Sequence, residues 1–105
     1  MTKSVKTLLL VEDDQLLALM ESRWLKKAGY EVIHAPTGEE AIELVKSKRA
    51  GISLILMDIN LGSGIDGTEA ARRILKDHDI PLLFLSSHTE KEVVEKKHLP
   101  KLKFI

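Results

Sequence analysis

Three short stretches of this sequence are apolar without a two-residue alternation: TLLLV at 7–11, ISLILM at 52–57 and PLLFL at 81–85. A strand with one wet face alternates, whereas a strand covered on both faces does not, so these runs predict buried strands. Between them lie longer segments with helical spacing. In residues 15–28, Leu16, Leu17, Met20, Trp24 and Ala28 recur every three or four positions, which predicts an amphipathic helix ending at Gly29, with Trp24 in the core. EVIHA at 31–35 reads as a further short strand. Thr37 with Glu40 makes a capping-box pattern for a helix running to about residue 48. The glycine-containing loop NLGSGIDG at 60–67 leads to a helix over about 68–76, and Thr89 with Glu92 predicts a last short helix to about 97.

The order is therefore βαβαβαβα, the pattern of a doubly wound α/β fold with a parallel sheet between helices. Parallel strands share one polarity, so their C-terminal ends emerge along one edge, where such folds bind ligands. At 105 residues the chain is one domain, read here as spanning 1–105. Its 16 basic and 16 acidic side chains cancel, so no net field favours nucleic acid or an anionic membrane. There is no cysteine, which excludes disulfides and thiolate metal sites. The N-terminal apolar run stops at Glu12, too short for a membrane span or a signal-peptide core, and a cytoplasmic location is expected.

The strand ends carry the chemistry. TLLLV runs into Glu12, Asp13 and Asp14; ISLILM runs into Asp58 and Asn60; PLLFL runs into Ser86 and Ser87. Two carboxylates about 4 Å apart repel by roughly 4 kcal/mol at an effective dielectric of 20. A bound cation relieves that repulsion, and an all-oxygen ligand set favours Mg²⁺ or Mn²⁺ over zinc. Beside such a cation Asp58 could act as a nucleophile toward a phosphoryl group, with Ser86 hydrogen-bonding a phosphoryl oxygen. Asp14, one past the acidic pair, is expected to cap the helix that follows.

Taken in order, LLLVEDD, LILMDIN, the IDG of the loop and PLLFLSS resemble the receiver domain of two-component response regulators. The resemblance covers about residues 5–95. It implies a flavodoxin-like sheet of order 2-1-3-4-5, with Asp58 as the phosphoacceptor and Glu12 and Asp13 as the acidic pair. It also implies metal ligation by Asp13, Asp58 and the Asn60 carbonyl, with Glu12 acting through metal-bound water, and Ser86 as the switch hydroxyl. The partners implied are a sensor histidine kinase and a downstream protein. Such a domain is a signalling module that helps catalyse its own phosphorylation and dephosphorylation rather than an enzyme.

Two departures from the family pattern stand out. The loop after Asp58 has no proline and one additional residue. The segment VVEKKHLPKLKFI offers at most a stub of fifth strand and no fifth helix, and Lys101 and Lys103 fall too close to Ser86 to match the family's site lysine. The expectation is an exposed apolar edge at PLLFL, inviting a homodimer or a segment swap. The alternative function is a degenerate receiver that only binds proteins. An aspartyl phosphohydrolase ranks lower, because Asn60 stands where its second aspartate belongs.

Overall fold

The computed structural model describes residues 5–48, 51–62, 64–85 and 103–104. β1 (Thr7–Val11), β2 (Glu31–Ala35), β3 (Leu54–Asp58), β4 (Leu82–Leu85) and β5 (Lys103–Phe104) form one sheet in the order β2-β1-β3-β4-β5. All four pairings are parallel, with Val11 beside both Ala35 and Met57, and Asp58 beside Leu85. The helices are α1 (Gln15–Lys27), α2 (Gly38–Lys48) and α3 (Gly67–Asp77). The doubly wound, flavodoxin-like arrangement read from the sequence is the one observed, with a fifth strand of only two residues. The helix expected over 89–97 lies outside the described residues.

Side-chain alternation divides the core between the two sheet faces. Leu9 and Val11 of β1 point to one face with Ile55 and Met57, where they pack under Ala41 and Val45 of α2 and Ala70, Ala71 and Ile74 of α3. Leu8 and Leu10 point to the other face with Leu56, against Ala18 of α1. On this second side Leu54, Leu83 and Leu85 are only partly buried. The strands read as unbroken apolar runs because helices cover both faces of the sheet.

Local signals place the helices. Leu17 N–H donates to Asp14 Oδ1 at 3.1 Å, so Asp14 caps α1 as expected. Glu40 N–H donates to Thr37 Oγ1 at 3.1 Å, and Thr37 Oγ1 donates back to Glu40 Oε2 at 3.3 Å. At the end of α1, Gly29 N–H bonds to the Lys26 carbonyl and Tyr30 N–H to the Leu25 carbonyl, a Schellman closure.

Two expectations need correction. Trp24 is not in the core: it is 65% exposed, Leu16 is 68% exposed, and Met20 is exposed as well. Helix α1 is apolar on two sides, and the side turned to the sheet carries Ala18 and Leu25 instead. The β4 edge is also not bare, because Leu83 and Phe84 pair with Lys103 and Phe104.

Candidate functional site

The strand register sets the site. Because β1 and β3 are adjacent and parallel, Val11 lies beside Met57, and the chain after each strand emerges at the same level. Glu12 and Asp13 therefore meet Asp58, although about 45 residues of chain separate them. One ligand oxygen from each of Glu12, Asp13 and Asp58 lies within 4.8 Å of the other two. Glu12 is buried, with 2% of its surface exposed, while Asp58 is half-buried and Asp13 is exposed.

Main-chain N–H groups orient all three carboxylates. Asp14 N–H donates to Glu12 Oε2 at 3.1 Å, Gly62 N–H to Asp13 Oδ2 at 2.8 Å, and Asn60 N–H to Asp58 Oδ1 at 3.1 Å. Each acid thus has one oxygen anchored by a main-chain N–H. Gly62 approaches Asp13 so closely that a Cβ there would stand 2.5 Å from Asp13 Oδ2. A glycine at this position serves the contact.

Burial pushes the Glu12 carboxyl up to about 8; the Asp14 N–H opposes the rise, and the charges of Asp58 and Glu21 add to it. An acid held protonated near neutral pH by its surroundings marks a pocket with too much negative charge for its polarity. A divalent cation fits this pocket: the oxygens that meet there are all carboxylate oxygens, and a +2 charge offsets both the burial cost and the repulsion.

The loop from β3 to α3 is built around the same pocket. Asp66 caps α3 by accepting the Glu69 N–H at 2.8 Å. Gly67 N–H donates to the Ile59 carbonyl at 3.0 Å, and a Cβ on Gly67 would overlap the Asp58 carbonyl oxygen. The Asp-Gly pair read from the sequence is therefore a helix cap followed by a residue seated on the backbone of the Asp58 strand.

Of the predicted site residues, the structure brings Glu12, Asp13 and Asp58 together, and Asn60 sits two residues on with its N–H turned back to Asp58. Ser86 and Ser87 lie outside the described residues. Lys103 pairs with Leu83, two residue levels before Leu85 and Asp58, about 6.6 Å along the sheet. His34 was not singled out by sequence, being a lone histidine in a strand. Its Nε2–H donates to the Glu12 carbonyl at 2.7 Å.

Comparison with known proteins places this geometry in a family. The family model described as the response regulator receiver domain matches residues 8–99. Transcriptional regulatory protein YrkP of Bacillus subtilis (strain 168) is 35% identical over 82 residues, covering 78% of this chain and 34% of that protein. The phyllosphere-induced regulator PhyR of Methylorubrum extorquens is 35% identical over 86 residues, covering 80% of this chain and 32% of its own length. The chain thus spans about a third of the curated relatives it matches. Among solved structures, the N-terminal domain of a response regulator/sensory box/GGDEF protein from Carboxydothermus hydrogenoformans superposes with a TM-score of 0.84 at 41% identity, covering 94% of this chain and 79% of that one. The response regulator TrrA from Thermotoga maritima, solved with Mg²⁺ and BeF, gives 0.82 at 25% identity, covering 96% and 86%.

Proposed function

We propose, because this chain belongs to the response regulator receiver domain family, that it takes a phosphoryl group from a histidine kinase onto Asp58 and thereby changes its binding to a downstream protein. The observation that carries the reading is the meeting of Glu12, Asp13 and Asp58 oxygens within 4.8 Å at the sheet's C-terminal edge. TrrA, of like fold, was solved with Mg²⁺ and BeF, which supports the same chemistry here.

In the proposed transfer an Asp58 carboxylate oxygen attacks phosphorus in line with the kinase's phosphohistidine. The new O–P bond forms as the P–N bond breaks, and its electron pair returns to the imidazole, which takes up a proton. Asp13 and Asp58, with the Asn60 carbonyl, would hold Mg²⁺ or Mn²⁺; Glu12 would act through its bound water. The cation supplies charge neutralisation for the phosphoryl oxygens. Asn60 N–H anchors one oxygen of Asp58 and Gly62 N–H one oxygen of Asp13, which limits how the nucleophile can turn. Ser86, the residue after Leu85 in the sequence, would donate to a phosphoryl oxygen.

The second reading, a module that binds partners without phosphotransfer, is favoured by the register of β5, which leaves Lys103 two levels short of Asp58. Acetyl phosphate with Mg²⁺ separates the two. A mass gain of about 80 Da, one phosphoryl group, that is lost in Asp58→Asn supports transfer. No adduct on folded protein supports the binding module. No described helix is long and apolar enough to cross a membrane.

A further inference from the structure

Glu39 belongs to the first turn of α2, on a different element from any of the pocket acids, yet its carboxylate reaches the loop between β3 and α3. Glu39 Oε2 accepts the Ile65 N–H at 3.1 Å, across 26 residues of sequence. The same carboxylate lies against Gly64, where a Cβ would stand 2.5 Å from Glu39 Oε1. In the reverse direction the Ile65 side chain fills the space over Gly38, with Cγ1 2.9 Å from where a Cβ would be. The start of α2 and the pair Gly64–Ile65 therefore interlock both ways.

Three N–H groups of this loop are each held by a carboxylate from a different element: Asn60 by Asp58 of β3, Gly62 by Asp13 after β1, and Ile65 by Glu39 of α2. The first two acids belong to the pocket. The third does not: it reaches the loop from the first turn of α2. The sequence LGSGID has no proline to restrict its backbone, so its shape depends on such anchors.

We infer that Glu39 is a positioning residue for the acidic pocket: by holding Ile65 N–H it fixes the loop whose Gly62 N–H orients Asp13 and whose Asn60 carbonyl is proposed to ligate the cation. The inference rests on the proposed cation site. Glu39 touches neither cation nor phosphoryl group, and it acts through the loop.

The test is Mg²⁺ titration of the full chain by calorimetry, comparing the parent with Glu39→Ala and Glu39→Gln. Glu39→Ala should weaken Mg²⁺ binding about three- to tenfold, the size of one hydrogen bond, and should speed exchange of the Ile65 amide in NMR. The metal-free melting temperature should fall by no more than the few degrees that one exposed hydrogen bond is worth. Glu39→Gln, which keeps an oxygen acceptor, should recover most of the affinity. Parent-like Mg²⁺ affinity in Glu39→Ala overturns the positioning role while leaving the cation site standing. Loss of affinity together with a fall in metal-free melting temperature well beyond that of one hydrogen bond, and no recovery in Glu39→Gln, also overturns it, as a general structural role. A parent chain that takes up no Mg²⁺ overturns the cation reading, and the role of Glu39 falls with it.

Discussion

His34 Nε2–H donates to the main-chain carbonyl of Glu12 at 2.7 Å, while the Glu12 N–H donates to the Ala35 carbonyl at 3.1 Å. Both polar groups of the Glu12 backbone are thus fastened to β2. Its side chain cannot escape Asp58 by a shift of the main chain, so the crowding is relieved by a proton or by a cation.

This fixes a pH dependence. The Glu12 carboxyl titrates near 8 in the folded chain against an ordinary 4.5, so the folded state binds the extra proton between those values. Metal-free stability is therefore highest toward the acid end of that window and falls as pH rises through it. Glu12 alone contributes a slope of at most about 1.4 kcal/mol per pH unit. Urea unfolding in EDTA should show this fall, and Mg²⁺ should suppress it. Glu12→Gln should flatten the metal-free curve, and Mg²⁺ affinity of the parent should rise with pH.

Gly67→Ala should destabilise the domain by about 1–3 kcal/mol, the usual cost of overpacking. The atoms that the new methyl would meet are the Asp58 carbonyl and the Ile59 Cα, both backbone and unable to rotate away. A shift of the urea midpoint at constant slope would report it.

Glu21 sits on the inward side of α1, and its Oε1 is buried with no hydrogen-bond partner among the described residues. Burial raises its pKa, and the charges of Asp58 and Asp14 raise it further. Glu21→Leu should therefore stabilise the fold by about 1 kcal/mol or more, measured by thermal unfolding at pH 8. Because the folded carboxyl binds its proton more tightly than the unfolded one, the gain should shrink as pH is lowered.

The strands were legible because a continuous apolar run in so short a chain has to be buried, and a strand covered on both faces buries every residue of it. β1 and β3 end where the sequence puts Glu12 and Asp58. Asp14 and Thr37 announced their helices by cap chemistry that acts within three residues. The pocket acids were legible because parallel strands deliver their ends to one edge. What misled was α1, where Leu16, Met20 and Trp24 make a better apolar stripe than the Ala18 and Leu25 side that meets the sheet. Periodicity reports that a helix has an apolar face; it does not report which of two such faces the sheet selects. The Gly62–Asp13 and His34–Glu12 contacts had no signal either, since each depends on distances between segments 49 and 22 residues apart.

The unequal burial on the two sides of the sheet orders how the molecule comes apart. Among the described residues, sixteen buried ones hold the α2–α3 side together and four hold the α1 side. Thermal fluctuation will therefore peel α1 from the strands before it disturbs α2 or α3. Glu12 and Asp13 lie on the stretch that feeds directly into that helix, so of the three described helices the least securely fastened is the one joined to the acids.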